Sequence, residues 1–254
     1  MKTTISNRKN QKIVILLELN NNHKGLAFVM HGLGGFKEEP HVRVMSQALL
    51  EKGFSVVSFD TTNTFGESNG TFENATTTNY YEDLIDVINW AKKQEWYKEP
   101  YFLVGRSLGG FCTALYAENH PEEIKALAPI STMVSGKLSF EAYPKDQLKK
   151  WEKTGWLIEK SRSKPGITKK LKWNNMMDRM KYDLLEKVDK LTMPVLMIVG
   201  EKDVPTPVEH QNLLFEKLPG KKEIHIIKGS PHTFRKKEHL DEVKKIFLEW
   251  IDKL

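Results

Sequence analysis

With 254 residues, the chain is long enough for one large α/β domain with a sizeable core, or for two small domains. The single cysteine, Cys112, excludes an intrachain disulfide and a cysteine-rich metal site, and no apolar run reaches the length of a membrane-spanning helix. The formal net charge of +6 would suit a nucleic-acid-binding protein, but 13 basic residues against 5 acidic ones fall between Lys137 and Lys181 alone. The basic character therefore belongs to one segment, and we expect no nucleic-acid partner.

The N-terminal half alternates short apolar runs with amphipathic stretches. The run Ile13–Leu19 follows a basic start, but it is too short for a signal peptide and no small-residue cleavage site follows it. We therefore predict a strand here, no stable membrane insertion and, with the single cysteine, a cytoplasmic location. Further strands are predicted over Gly25–Met30 and Phe54–Phe59, and helices over His41–Gly53 and Tyr80–Gln94.

The C-terminal half continues the same alternation after one long interruption. Strands are predicted over Tyr101–Val104, Ile124–Ile130, Pro194–Gly200 and Glu223–Ile227, and helices after Gly109 and over Glu209–Leu218 and Glu238–Leu254. Short strands that look buried on both faces and alternate with helices predict an α/β fold with a mainly parallel central sheet covered on both sides. In such sheets, ligands bind beyond the carboxyl ends of the strands.

The interruption is a segment of some 60 residues between Ile130 and Pro194 that is rich in lysine and tryptophan. We interpret residues 133–187 as a helical cap inserted into a core formed by residues 1–132 and 188–254. An ordinary connection with a long disordered loop is the alternative, and Trp151, Trp156 and Trp173 speak against it because disordered segments are poor in aromatic residues.

The most informative motif is Gly105-Arg106-Ser107-Leu108-Gly109, which joins a predicted strand to a predicted helix. A G-x-S-x-G sequence in this context is typical of a nucleophile elbow, a tight turn that presents a serine hydroxyl. The flanking glycines allow the backbone to turn where a Cβ atom would crowd the neighbouring strand or helix. Ser107 is therefore the candidate nucleophile.

A serine nucleophile needs a base, and the base needs a carboxylate that orients it. Of eight histidines, only His232 lies in a loop directly after a late strand and before the last helix, where it could reach the strand ends. Asp203 follows the strand Pro194–Gly200, so the chain order is Ser, Asp, His. Asp60, Asp178 and Asp183 are the rival carboxylates.

An oxyanion site needs two backbone N–H groups close to the nucleophile. One should belong to Leu108, directly after Ser107, and the other to Leu33 in the turn His31-Gly32-Leu33-Gly34-Gly35. A plain glycine-rich turn is the alternative interpretation of this sequence.

Six motifs together resemble the α/β-hydrolase superfamily, and within it the feruloyl (cinnamoyl) esterases and monoacylglycerol lipases. The motifs are GLAFVMHGLGG, FSVVSFD, the GES of TFGESNG, GRSLGG, PVLMIVGEKD and GSPHTF. The resemblance covers about residues 13–132 and 185–254. It implies a Ser107-His232-Asp203 triad and oxyanion donors at Leu33 and Leu108. The loop after Asp60 departs from the usual D-x-R-G-x-G-x-S by one extra residue and a missing arginine, and Arg106 stands where relatives often carry histidine.

These observations predict a serine carboxylesterase that cleaves a small to medium acyl or aryl ester through an acyl-enzyme and needs no metal or organic cofactor. The expected partner is a small-molecule ester, and the sequence leaves a homodimer open. A thioesterase or a peptidase with the same triad remains an alternative, as does a ligand-sensing relative without turnover. A membrane-surface or nucleic-acid-binding protein that uses the basic segment is the remaining class.

Overall fold

The computed structural model describes residues 1–21, 24–160 and 166–254, and within these ranges ten strands are present. They are β1 Lys2–Ser6, β2 Lys12–Glu18, β3 Leu26–Met30, β4 Ser55–Asp60, β5 Tyr101–Arg106, β6 Ile124–Ile130, β7 Trp156–Lys160, β8 Thr168–Lys172, β9 Val195–Lys202 and β10 Lys222–Pro231. Eight of them form one sheet in the order β1-β2-β4-β3-β5-β6-β9-β10, and β7 pairs with β8.

The large sheet is parallel from β4 to β10, and only β1 and β2 run antiparallel to their neighbours. The central strands are fully buried, which explains why they appear in the sequence as continuous apolar runs. Strand β1 was not predicted from the sequence because KTTIS has no apolar run and alternates between exposed and half-buried residues at the sheet edge. The predicted α/β architecture with a mainly parallel sheet is confirmed.

Eight α-helices surround the strands within the described ranges: α1 Pro40–Glu51, α2 Thr77–Ala91, α3 Leu108–Asn119, α4 Gly136–Glu141, α5 Lys145–Thr154, α6 Asn174–Arg179, α7 Val208–Lys217 and α8 Lys237–Ile251. One face of the sheet packs against α1 and α8 through residues such as Met45 and Phe247. The other face packs against α2 and α3 through residues such as Leu84 and Phe111. Each such side chain contributes about 1.5–3 kcal/mol on burial, so both faces are stabilised by a separate apolar layer.

The segment between β6 and β9 contains α4, α5, the β7–β8 hairpin and α6. The sequence predicted helices only, whereas five antiparallel residue pairs join β7 and β8. Trp151 is fully buried there, donates from Nε1 to the Leu171 carbonyl at 3.1 Å, and packs edge-to-face on Trp173. Indole packing therefore holds the helix α5 against the hairpin. Part of the basic stretch, residues 161–165, lies outside the described residues.

This segment rests on the loop that leads into α2. Asp178 of α6 accepts hydrogen bonds from the amide and hydroxyl of Thr78, at 2.8 and 2.7 Å, and Asn175 donates to the Ala75 carbonyl at 2.9 Å. The segment is thus attached to the core near the carboxyl ends of the central strands, where a binding site of this fold is expected. No helix within the described ranges has both the length and the apolar character needed to cross a membrane.

Candidate active site

Ser107 occupies a strained turn between β5 and α3, with φ of 56° and ψ of -120°. Non-glycine residues rarely adopt positive φ, and such strain costs on the order of 1–3 kcal/mol. The neighbouring glycines permit the turn, because a Cβ on Gly109 would collide with the His31 carbonyl oxygen and one on Gly105 with the Gly109 carbonyl. The backbone therefore holds the Ser107 hydroxyl at the carboxyl edge of the sheet.

His232 approaches this hydroxyl from the loop after β10, the edge strand of the sheet. It directly follows β10, whose pairing with β9 shifts register between Ile227 and Pro231. The Nε2 atom of His232 lies 3.0 Å from the Oγ atom of Ser107, within hydrogen-bond distance. The imidazole is 14% exposed, so it is accessible to a small reactant while most of the ring is packed.

Asp203 lies beyond β9 and contacts the other nitrogen of the same imidazole. Its two carboxylate oxygens lie 2.9 and 2.8 Å from His232 Nδ1. The Thr206 amide donates to Asp203 Oδ1 at 3.0 Å, and the Thr206 hydroxyl lies 3.0 Å from Oδ2. Burial alone would raise the pKa of Asp203, but the hydrogen bonds from His232 and Thr206 outweigh it and hold this pKa below its ordinary value. The carboxylate is therefore ionised at neutral pH.

The glycine-rich turn after β3 lies beside the nucleophile, since a Cβ on Gly32 would stand 3.1 Å from the Cβ of Ser107. His31 is fully buried and orients this turn: Nδ1 donates to the Gly32 carbonyl at 2.8 Å, and Nε2 accepts from the Thr61 amide at 3.1 Å. This pattern requires the neutral tautomer protonated on Nδ1. It turns the Gly32 carbonyl toward His31.

Two backbone amides near Ser107 are available for a reactant. Leu108 begins α3, so its N–H has no acceptor within the helix. The Leu33 amide lies in the turn that His31 orients. Within the described ranges, neither N–H donates a backbone hydrogen bond outside the regular helices and strands. The Gly34 amide, in contrast, donates to the Tyr80 hydroxyl at 3.0 Å.

Lys37 binds the loop after Asp60, which lacks the usual arginine. Its ammonium is fully buried and lies 2.9 Å from Asp60 Oδ2 and 2.6 Å from Glu67 Oε2. Burial would lower the pKa of Lys37, but the hydrogen bonds to Glu67 and Asp60 raise it to about 12. Asp60 also accepts from the amides of Lys37 and Glu67, at 2.8 Å each. A lysine that follows the glycine-rich turn thus stabilises this neighbouring loop.

The rival residues have structural contacts instead. Asp60 binds Lys37, and Asp183 accepts from the Leu185 amide at 2.8 Å. The Cys112 thiol is fully buried, and this burial raises its pKa well above the usual value. His23 lies outside the described residues.

Among the described residues, two groups of side chains have oxygen or nitrogen atoms close enough to share a metal ion. One comprises His120, Glu122 and Glu123, and the other Glu38, Asp60 and Glu67. In the second group the Lys37 ammonium contacts all three carboxylates, at 3.1, 2.9 and 2.6 Å. In the first, Glu123 binds Lys92 at 2.5 Å and the Tyr101 and Tyr116 hydroxyls at 2.7 and 2.9 Å. Neither group includes Ser107, His232 or Asp203.

Sequence reasoning did not single out two side chains that contact the triad. Thr206 binds Asp203, and a D-x-x-T sequence containing a proline could have signalled an aspartate-stabilised turn. Arg106 was noted only as a departure from relatives, yet its Nη2 atom donates to the His232 carbonyl at 2.6 Å and to the Thr233 hydroxyl at 2.8 Å. No local pattern indicates the contact between Arg106 and His232, because these residues lie 126 positions apart.

Known proteins share this fold along the whole chain. The structure superimposes on Est1E from Butyrivibrio proteoclasticus, which has ferulic acid bound, with a TM-score of 0.83, 23% identity and coverage of 99% of this chain and 98% of the other. Mouse α/β-hydrolase domain-containing protein 10 superimposes with a TM-score of 0.81, 18% identity and coverage of 100% and 99%. These similarities confirm the α/β-hydrolase fold predicted from the motifs.

Sequence comparison gives a consistent result. An uncharacterised 31.7 kDa protein from the traX-finO intergenic region of Escherichia coli is 26% identical over 232 residues, covering 79% of this chain and 80% of that protein. The palmitoyl-protein thioesterase ABHD10 of Bos taurus is 25% identical over 206 residues, covering 80% of this chain and 65% of its own length. The family model for serine aminopeptidase S33 hydrolases matches residues 21–238. Because this match spans most of the chain, the protein belongs to the serine aminopeptidase S33 family of α/β-hydrolases.

Proposed function

We propose that the protein is a serine carboxylic-ester hydrolase that acts through Ser107, His232 and Asp203. The observation that carries the proposal is the relay of contacts from Ser107 Oγ to His232 Nε2 at 3.0 Å and from His232 Nδ1 to the Asp203 carboxylate at 2.8 Å. A nucleophile, a base and an orienting carboxylate in this geometry support acyl transfer.

In the first half-reaction, His232 Nε2 takes the proton of the Ser107 hydroxyl while Oγ attacks the ester carbonyl carbon. The ionised Asp203 keeps the imidazole in the tautomer protonated on Nδ1 and stabilises the imidazolium that forms. The proton then passes from Nε2 to the alkoxy oxygen, the bond from the carbonyl carbon to that oxygen breaks, and the alcohol leaves. The acyl group stays on Ser107.

In the second half-reaction, His232 removes a proton from water, and the resulting nucleophile attacks the acyl-enzyme. The carboxylic acid leaves when Nε2 returns the proton to Ser107 Oγ. In both half-reactions the negative charge on the carbonyl oxygen is stabilised by the N–H groups of Leu33 and Leu108. A single oxyanion donor of this kind is worth about 2.7–4 kcal/mol.

A thioesterase is the second candidate, and the similarity to ABHD10, named a palmitoyl-protein thioesterase, favours it. Thiolates leave more readily than alkoxides, so the same residues could serve both reactions. The family model is described by a serine aminopeptidase, which makes an aminoacyl amide the third substrate to test. We further propose that residues 133–187 form a cap that governs this choice, because the Met133 amide donates to the Ser107 carbonyl at 3.4 Å and α6 contacts the start of α2.

The test is a substrate panel with matched acyl groups. Purified protein is assayed on p-nitrophenyl esters, acyl-thioesters and aminoacyl amides, and its serine is labelled with a fluorophosphonate. We expect the ester to have the highest kcat/KM, and Ser107→Ala to lose at least about 10⁴-fold in kcat and all labelling. Ser46→Ala is the matched control, because the hydroxyl of this buried serine donates to the Val42 carbonyl within α1.

The panel also separates the alternatives. A higher kcat/KM on thioesters than on esters would replace the esterase with a thioesterase while keeping the triad. A single turnover followed by a lasting adduct would support the ligand-sensing relative. Unchanged turnover in Ser107→Ala would contradict every form of the proposal.

A further inference from the structure

Arg106 links three parts of the candidate active site. It is the last residue of β5 and directly precedes Ser107. Its Nη2 atom donates to the His232 carbonyl at 2.6 Å and to the Thr233 hydroxyl at 2.8 Å. A Cβ on Gly32 would lie 3.4 Å from its Nη1 atom, which places the guanidinium beside the glycine-rich turn after β3 as well.

This cation is buried, since Arg106 is only 7% exposed. The two acceptors of Nη2 are neutral, and its Nε atom has no hydrogen-bond partner within the described ranges. Burial lowers the pKa of Arg106 to about 10, although the carboxylates of Glu39 and Asp203 partly compensate. A buried cation with incomplete pairing costs several kcal/mol, so stability alone does not account for an arginine here.

The His232 loop is the part of the triad that most needs such support. Ser107 is fixed by the glycine-flanked turn, and Asp203 is 4% exposed and bound by Thr206. His232, in contrast, stands between the irregular end of β10 and the start of α8, on a backbone with exposed neighbours such as Pro231 and Arg235. Proton transfer depends on the separation of Nε2 from Oγ, and displacing a catalytic group by about 1 Å can cost 10²-fold in rate.

We infer that Arg106 is a positioning residue for the proposed hydrolysis: by holding the His232 carbonyl, it sets the distance between the imidazole and the Ser107 hydroxyl. The guanidinium is suited to this task because its planar donors contact the backbone of His232 and the side chain of Thr233 at once. Since Arg106 adjoins Ser107 in the chain, one short path connects nucleophile and base across the sheet. The inference rests on the proposed function.

The test is a series of substitutions at this position, assayed with a good ester substrate. We expect kcat to fall in the order Arg, Lys, Met, with Arg106→Met lower by about 10- to 100-fold and KM changed by less than about threefold. Lysine retains a charge and one donor direction, so Arg106→Lys should recover part of kcat. Rates are normalised to the fraction of protein labelled by a fluorophosphonate at completion, which corrects for misfolded molecules.

Arg43→Met is the matched control. Arg43 is also a paired arginine, with Nη2 donating to Glu18 at 2.9 Å, but it lies on α1 away from Ser107. We expect its kcat to stay within twofold of the parent value. Thr233→Val removes the second acceptor of Nη2 and leaves the His232 carbonyl in place, so its kcat should fall less than that of Arg106→Met.

The outcomes separate this inference from the proposed function. If the parent protein hydrolyses esters and is labelled at Ser107, but Arg106→Met keeps its kcat within twofold, the positioning role is wrong. If Arg106→Met does not fold, Arg106→Lys decides: a kcat at least threefold lower with unchanged KM supports the role, and an unchanged kcat refutes it. Absence of ester hydrolysis and of labelling in the parent would instead contradict the proposed function.

Discussion

The carboxyl edge of the main sheet and the part of the inserted segment formed by α5, β7 and β8 are both well packed, but through different atoms. At the sheet edge, backbone approaches backbone so closely that Gly105 and Gly109 have no room for a Cβ. In α5, β7 and β8, side chains such as Trp151 provide the packing, and Gly155 faces open space. Backbone packing fixes the atoms on which the proposed chemistry depends, whereas side-chain packing can accept another shape without moving them.

The largest expected effect is that of a single methyl group at the sheet edge. Gly109→Ala should destabilise the protein by about 4–5 kcal/mol or prevent folding. The new Cβ would collide with the His31 carbonyl, and only a shift of the backbone could relieve this clash. Urea unfolding gives the free energy, and fluorophosphonate labelling reports the competent fraction.

The matched variant in the inserted segment is Gly155→Ala. Its φ of 75° disfavours any Cβ, but no atom lies within 4 Å of the new methyl, so the loss should be about 1–2 kcal/mol. Equal losses in the two alanine variants would break the distinction between the two regions.

Trp151→Ala tests whether the inserted segment can be damaged by itself. Loss of the buried indole and of its bond to the Leu171 carbonyl should reduce the free energy of unfolding by about 3 kcal/mol. The rate of fluorophosphonate labelling per folded molecule should stay within a fewfold of the parent rate, because the triad residues lie on other elements. A labelling rate reduced a hundredfold would show that the segment also shapes the triad.

Glu118 lies where the C-terminal end of α3 meets the end of the inserted segment. It is buried on α3 near Lys187, Asp183, Glu186 and Asp189, and burial raises its pKa to about 8. Between about pH 4.3, where an unfolded glutamate titrates, and pH 8, the folded carboxyl stays protonated while the unfolded one ionises, so stability falls as pH rises. The free energy of unfolding of Glu118→Gln should therefore exceed that of the parent by about 2 kcal/mol at pH 8 and by almost nothing at pH 4.5, measured by urea unfolding.

The control for this pH dependence is Glu152→Gln on α5, where the side chain is exposed. Its stability should follow the parent within about 0.5 kcal/mol at both pH values. A gain in Glu118→Gln that is equal at pH 4.5 and pH 8 would mean that the buried carboxyl is not the cause.

The smallest effect concerns the hydroxyl of Thr206 beside Asp203. Thr206→Val keeps the amide that donates to Oδ1 and removes the hydroxyl contact with Oδ2, so kcat should fall about tenfold, or 1.4 kcal/mol. Thr154→Val removes a hydroxyl of the inserted segment that bonds the Lys150 carbonyl, and it should leave kcat unchanged. Comparable decreases in both variants would contradict a local role for Thr206.

The same division explains what could be predicted from the sequence. The strands β3 to β6 carry continuous apolar runs, and the elbow carries glycines that the close backbone contacts require. Their positions, and the proximity of Ser107, Asp203 and His232, could therefore be predicted from the sequence. The hairpin β7–β8 was not predicted, because WLIEK and TKKLK have few apolar residues and their burial depends on Trp151 and on helices elsewhere. The contacts of Arg106 and Lys37 were equally inaccessible, because each depends on a partner that only the fold brings near.

The separation of Ser107 and His232 by 125 positions bears on the biosynthesis of the protein. A ribosome releases the serine turn long before β9 and β10 have been made, and β10 must pair with β9 before the imidazole has a fixed place. A nascent or truncated chain can thus expose the hydroxyl without any means of activating it. On the proposed mechanism, chemical competence therefore requires that β9 and β10 have paired.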